Sequence, residues 1–260
     1  YSGYRVVQRA GHWRCRILLV GGEAGDRRLI AIARKSSVKL DRRQAMQLGL
    51  VGLGGLWSAP AAAGQSSRLA ADDGSPIRSF PAPDLSRILA IPRLLSNGAS
   101  QADATVAEFF DYNCGYCRQA GPGLDEMVKA DAALRVVFVH MPILSLDSAR
   151  AAEAVVAVLA THDMAAAYTV HQGALTASGR VGEQTILDLA RAAGLETGRI
   201  IAALPAARDA VRVQKQFAID TRVRYTPTFA VGETAFIGWP GVQTMQRFVA
   251  ATRRCGSPQC

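Results

Sequence analysis

The stretch AEFFDYNCGYCRQAGPGLDE, Ala107 to Glu126, decides how the chain is read. An apolar run leads straight into two cysteines separated by two residues, Cys114 and Cys117. That spacing serves three chemistries: half of a metal site, a structural crosslink, or a pair that exchanges electrons. TVAEFFD (105–111) reads as a buried strand, which puts Cys114 at the start of the helix that follows. Unpaired backbone N–H groups and the helix dipole stabilise an anion there. A thiolate in such a position has a pKa of roughly 3.5–7.5. Stabilising it favours the reduced dithiol, so the disulfide becomes a better oxidant. A fall of about 3 pKa units is worth about 4 kcal/mol, or on the order of 90 mV for a two-electron couple.

The elements around this stretch have a definite order. Gly64 to Ala102, rich in Ser, Pro, Asp and Ala, reads as a loose N-terminal arm. Within it, Leu85, Ile88 and Leu89 share a face of a short helix that Pro92 interrupts. Cys117 to Lys129 is helical, and Gly121-Pro122-Gly123 predicts a kink or a break in it. RVVFVH (135–140) is a second strand, and a strand-helix-strand unit of this length predicts parallel pairing. Ala-rich segments of helical spacing follow at 148–160, 163–176, 182–193, 196–203 and 206–223, punctuated by Gly179, Gly194 and Pro205. TFAV (228–231) and TAFIG (234–238) then form a hairpin around Gly232-Glu233. An amphipathic helix from about Val242 to Thr252 buries Met245, Phe248 and Val249. The expected class is therefore α/β, in the element order of the thioredoxin fold with an all-helical domain inserted at about 145–205.

Charge separates the leader from the body. The 260 residues carry a net +9. Residues 1–63 hold 11 Lys and Arg against 3 Asp and Glu, whereas residues 64–260 hold 19 against 18. The body is close to neutral and has no basic stripe with interleaved aromatics, so nucleic acid is not an expected partner. KLDRRQAM (39–46), LGLVGLGGLW (48–57) and SAPAAAG have the basic, apolar and small-residue pattern of a signal peptide over 38–63, with Ala61 and Ala63 at the cleavage positions. The apolar run is too short to span a bilayer, which takes about 20 residues, and its four glycines suit a helix interior poorly. Arg42-Arg43 also permits the twin-arginine route, although Gln44 and Ala45 match that signal poorly. No lipid-attachment cysteine follows, so a soluble mature protein is expected in the periplasm. Residues 1–37 fit no pattern: LLVGGEAGD (18–26) lacks both the GK[ST] ending and the GxGxxG spacing of a phosphate loop. They read as a non-native upstream extension. Without Cys15, four cysteines remain, an even number that suits an oxidising compartment.

EFFDYNCGYC resembles the active-site stretch of DsbA-type thiol:disulfide interchange proteins of the thioredoxin superfamily. The resemblance runs from about Ala104 to Thr252, with RVVFVHMPIL, the helical insertion and RYTPTFAVGETAFIG in the expected order; the domain is drawn at 104–254, with 255–260 as a tail. It implies a redox-active disulfide, Cys114–Cys117, with Cys114 as exposed nucleophile and Cys117 as buried resolving thiol. Glu108 is implied as the buried acid beneath the pair, and it shares a strand face with residues 106 and 110; the competing reading is a strand-end carboxylate facing water. Thr226-Pro227 matches the cis-proline loop that presents backbone to an extended substrate. Pro122 falls at the kink proline of such helices. The dipeptide Gly115-Tyr116 has no histidine, which implies a milder oxidant closer to the isomerase and reductase pattern. His140 stands where relatives often carry an acid, and it reads as structural. No cofactor is implied. The implied partners are exported proteins with cysteines and a membrane redox partner that recycles the pair. The competing function is copper or zinc binding for metal tolerance, with the CxxC thiolates completed by Cys255 and Cys260. Those two cysteines could otherwise form a local disulfide or remain unpaired thiols.

Overall fold

The computed structural model describes residues 69–260. The upstream extension expected at 1–37, the signal peptide at 38–63 and the first residues of the arm lie outside the described residues. The element order is β1 (Ser79–Pro81), α1 (Leu85–Leu89), β2 (Leu95–Gly98), β3 (Ala104–Phe110), α2 (Gly115–Ala130), β4 (Leu134–His140), α3 (Leu146–Thr161), α4 (Met164–Thr176), α5 (Glu183–Ala192), α6 (Thr197–Asp220), β5 (Thr228–Val231), β6 (Thr234–Ile237) and α7 (Val242–Cys255).

ATVAEFF forms a central strand because nearly every position is apolar and both of its faces are covered. All seven residues of β3 are buried, which is the pattern of a parallel strand enclosed by helices. β3 pairs in parallel with β4, with Glu108 opposite Phe138 and Phe110 opposite His140. On its other side it runs antiparallel to β5, with Glu108 opposite Phe229. The full sheet order is β1-β6-β5-β3-β4-β2.

Alternation along β3 sorts the interior into two layers. Val106 and Phe110 face a core built with Leu124 and Met127 of α2, Met245 and Phe248 of α7, and the helices between β4 and β5. Ala107 and Phe109 face a second core with Ile88 of α1 and Ala218 of α6. Glu108 therefore lies on the same side as α2 and its two cysteines.

Three expectations are corrected here. The arm is not loose from Leu69 onward: it supplies both edge strands, β1 against β6 and β2 against β4. Gly98 closes the second edge with a positive φ of 100°, and a Cβ there would lie 2.2 Å from the Leu134 carbonyl oxygen. Pro205 does not divide two helices, since α6 runs through it, and α2 likewise continues through Pro122 without a break. Both prolines are exposed, and so is Ile201, whose carbonyl loses its helical donor to Pro205. Water serves the freed oxygen, and the buried stripe on the other side of each helix keeps it continuous.

The start of the described chain also caps the last helix. Asp72 accepts from the backbone N–H groups of Gln243 and Thr244, at 3.1 and 2.8 Å. Gly241, with φ of 90°, is needed at that approach, because a Cβ would lie 2.1 Å from the Asp72 carboxylate. Removing a helix N-cap costs about 1 kcal/mol. Asp72→Ala is expected to lower the urea unfolding free energy by about that amount; an unchanged midpoint would mean the strap contributes nothing to stability.

Candidate active site

Three residues between β3 and α2 set the position of the cysteine pair. The Asp111 carboxylate accepts from Asn113 N at 2.8 Å with one oxygen. With the other it accepts from Ile143 N at 2.9 Å and Leu144 N at 3.0 Å, across the chain in the β4–α3 loop. Cys114 N donates to the Asp111 carbonyl at 3.0 Å. The turn so formed delivers Cys114 as the N-cap residue of α2, in extended backbone conformation.

Asn113 binds the helical layer, with Oδ1 accepting from Val181 N at 2.8 Å and Nδ2 donating to Val181 O at 2.9 Å and to Ser148 Oγ at 3.1 Å. Arg118, one residue after Cys117, donates to the carbonyls of Tyr112 (2.7 Å), Ala177 (3.0 Å) and Gly179 (2.9 Å).

Both cysteines are free thiols. Cys117 is 1% exposed and Cys114 only 7%. The nucleophile is thus more enclosed than the exposed residue expected from the sequence, because the loop ending in Thr226-Pro227 closes over it. The Cys114 thiol donates to the Thr226 carbonyl at 3.3 Å, and the Thr226–Pro227 peptide bond is cis. Pro227 is buried, and its carbonyl accepts from Gly238 N at 2.9 Å.

The Cys114 pKa is lowered to about 5. The largest cause is the Cys117 thiol, which donates a hydrogen bond to the sulfur; the backbone N–H groups of Cys117 and Tyr116 add to it against the opposing effect of burial. The bond to the Thr226 carbonyl exists only while Cys114 keeps its proton; the anion is supported first by the second sulfur, then by the Thr226 side chain, and then by the helix amides. Cys117 moves the opposite way, pushed up first by burial and then by its hydrogen bond to Cys114 and the charge of Glu108. One sulfur ionises easily and its neighbour resists. Thiol–disulfide exchange needs a thiolate as the attacking group, which Cys114 supplies readily, whereas Cys117 must first give up its proton before it can attack.

Glu108 is 1% exposed, so the water-facing reading of this carboxylate is excluded. Its Oε1 has no hydrogen-bond partner. Burial, and then the charge of Cys114, raises its pKa well above the usual carboxylate range. The carboxyl therefore keeps its proton to higher pH than an exposed glutamate would, beneath the sulfurs.

Sequence reasoning missed Asp111, Asn113, Arg118 and the cluster formed by Tyr112, His140 and His171. The Tyr112 hydroxyl lies 2.9 Å from His171 Nδ1 and 3.4 Å from His140 Nε2. Gln214 Oε1 accepts from the His140 backbone N–H at 2.8 Å and lies 3.0 Å from its Nδ1. His140 is thus a buried part of the scaffold. The only local signal for Asp111 and Asn113 was their place between a strand and a CxxC, and their partners lie 32 to 68 residues away.

Cys255 and Cys260 are disulfide-bonded to each other. They sit at the end of α7, where Gly256 O accepts from Glu233 N in the β5–β6 turn, at the opposite end of β5 from Pro227. They do not complete a thiolate site with Cys114 and Cys117. Among the described residues no group of three or more Cys, His, Asp or Glu is placed to hold a metal ion.

The model of the DSBA-like thioredoxin domain family matches residues 105–252, more than half of the sequence. The chain belongs to that family. A thioredoxin-like oxidoreductase from Silicibacter pomeroyi is 28% identical and superposes with a TM-score of 0.61, covering 66% of this chain and 99% of its own. A periplasmic thioredoxin-like protein from Salmonella enterica serovar Typhimurium has the same fold at 20% identity and a TM-score of 0.57, over 66% of this chain and 99% of its own. The Na(+)/H(+) antiporter NhaA 1 of Salinispora arenicola is 28% identical over 161 residues, 59% of this chain, but the chain spans only 24% of that relative's length. The fold class expected from the sequence, thioredoxin-like with inserted helices, is the observed one. The DSBA-like architecture explains why the site lies where sheet, α2 and inserted helices meet.

Two measurements follow. Thiolate absorbance or alkylation rate at Cys114 is expected to titrate with a midpoint near pH 5, with reactivity present above it and lost below; a midpoint near pH 8.5, that of a free cysteine, would remove the role given to Cys117. The pKa of His140 is lowered from 6.5 to about 4, chiefly by burial. The unfolded chain therefore binds this proton first, and the neutral imidazole's contribution, about 3 kcal/mol, is complete above pH 6.5 and lost as pH falls toward 4. Urea unfolding at pH 7 and pH 4.5 is expected to show this loss in the native protein and a smaller one in His140→Asn.

Proposed function

We propose that this protein is a periplasmic thiol:disulfide oxidoreductase that exchanges disulfides with exported, cysteine-containing proteins through Cys114 and Cys117. The observation that carries the reading is the placement of the two sulfurs, Cys114 at the N-cap of α2 beside the Thr226 carbonyl and Cys117 buried one turn later, with the Cys114 pKa lowered and that of Cys117 raised. Membership of the DSBA-like family supports it, and so does the expected signal peptide. The antiport named for the Salinispora relative is not carried over, because the shared segment is about a quarter of that protein.

In the oxidising direction, a client thiolate attacks Cys114 Sγ of the disulfide. The Cys114–Cys117 bond breaks, and Cys117 leaves with the electron pair and takes a proton from the Glu108 carboxyl. A second client thiolate then attacks the client sulfur of the mixed disulfide and releases Cys114 as thiolate. Two electrons have passed to the protein, and a membrane redox partner carrying a disulfide restores the pair. In isomerisation, reduced Cys114 attacks a wrong client disulfide and releases one client thiolate; another client thiolate then attacks the client sulfur of the mixed disulfide, forms the new client disulfide and returns Cys114 as thiolate. If Cys117 attacks Cys114 instead, the client disulfide is reduced and the Cys114–Cys117 bond forms. The pKa of about 5 at Cys114 lies between about 3.5 for strong oxidants and about 7 for reductants of this fold. It suits a mild oxidant able to run the exchange both ways, in keeping with an uncharged Gly115-Tyr116 dipeptide. Thr226-Pro227 lies beside the nucleophile, where an extended client segment would add its backbone.

Cys117→Ser in the full chain is expected to accumulate mixed disulfides with client proteins that dithiothreitol releases, whereas Cys114→Ser traps none. Glu108→Gln should slow turnover in scrambled-ribonuclease refolding severalfold while Cys114 still reacts rapidly with iodoacetamide. Adducts that form equally without Cys114 would end the proposal.

A further inference from the structure

Beside the nucleophile lies a cleft of about 370 Å³, bordered by Asn113, Gly115, Arg118, Leu144, Ser145 and Arg180. Asn113 and Gly115 are the two chain neighbours of Cys114, so anything bonded to that sulfur has the cleft at hand. Its charge is one-sided. The half-buried Arg118 guanidinium gives three of its N–H groups to carbonyl oxygens. Of its five donors, two remain, and among the described residues no carboxylate lies within ion-pair distance of it.

The second arginine has only a weak partner: Arg180 meets Asp147 at 3.3 Å with both side chains largely in water, a pair worth little. Asp111 forms no ion pair with either arginine: it is buried, and its oxygens accept from three backbone N–H groups. The apolar element of the border is Leu144, 54% exposed at the rim.

We infer that this cleft receives an acidic side chain, Asp or Glu, placed next to the reacting cysteine of the client polypeptide, with the carboxylate at Arg118 and Arg180 and the methylene stem along Leu144. The inference rests on the thiol-exchange reading and narrows its substrate class. Clients with an acidic neighbour are held while the sulfur exchanges, and clients with a lysine there are repelled. Arg118 and Arg180 are then specificity-determining residues that touch the client away from the reacting sulfurs.

The test uses the oxidised full chain and three short cysteine peptides that differ only in the residue beside the cysteine: Glu, Gln or Lys. The Glu peptide is expected to exceed the Lys peptide about tenfold in kcat/KM at low salt, mostly through KM, with Gln between them. The gap should narrow at high salt, shrink in Arg180→Gln and close in Arg118→Gln. A loss of structure in Arg118→Gln would instead slow all three peptides alike, and Arg180→Gln, on an exposed side chain, still reads the preference. Rates within about twofold for all three peptides on the native protein overturn the acidic-client site and leave thiol exchange standing. Reaction with none of them overturns the exchange reading itself.

Discussion

Everything in this molecule converges on one arrangement: a sulfur at the first turn of a helix, accepting a hydrogen bond from a second sulfur one turn later. The Cys117 S–H can support the Cys114 anion only if the backbone enters α2 at a fixed angle. Asp111 sets that angle by joining the strand-to-helix turn to the β4–α3 loop. A buried carboxylate is a costly device unless its oxygens are satisfied, and here three backbone amides satisfy it. Glu108, three residues earlier within β3, has a free Oε1, and burial raises its pKa so that it holds its proton more tightly. Two carboxyl groups three residues apart thus have different tasks, set by the donors each one meets.

The inserted helices take part in the site. Asn113 is bonded to both backbone groups of Val181, Arg118 reaches the carbonyls of the α4–α5 connection, and Tyr112 meets His171 on α4. Three of the residues flanking or following the cysteines are thereby engaged by the helical layer. Movement of that layer cannot leave the nucleophile undisturbed, because a buried polar network is costly to leave half-made. α6 adds a second join: its first half packs within the helical core, and Ala218 near its end packs under the opposite face of the sheet.

Under the proposed function, the enclosure of Cys114 would serve selectivity. At 7% exposure and with the Thr226 carbonyl 3.3 Å from the sulfur, a client segment would have to fit beside the Thr226-Pro227 loop. Tyr116, Leu144, Leu146 and Tyr225 are large side chains left exposed within two residues of Cys114, Ser145 or Thr226 along the chain; under the proposed function they would offer apolar contact to an extended client.

Local pattern was enough for much of this. The apolar run before Cys114, the parallel partner RVVFVH, the Ala-rich helices and the final hairpin are each short-range signals, and periodicity of burial makes them legible in the amino-acid sequence alone. The same reading put Cys114 at the start of a helix and Glu108 on one strand face with residues 106 and 110, while the roles of Cys117 and Glu108 came from the family resemblance. Tertiary contacts decided the remainder. SFP and LSNG carry no alternation, and they become strands only because β6 and β4 present open edges to them. Pro205 and Pro122 stay inside helices because burial on one side outweighs a single lost hydrogen bond facing water. Asp111, Asn113 and Arg118 acquire their roles from partners up to 68 residues away, and no pattern along a chain encodes which distant backbone groups it will find unpaired when it folds.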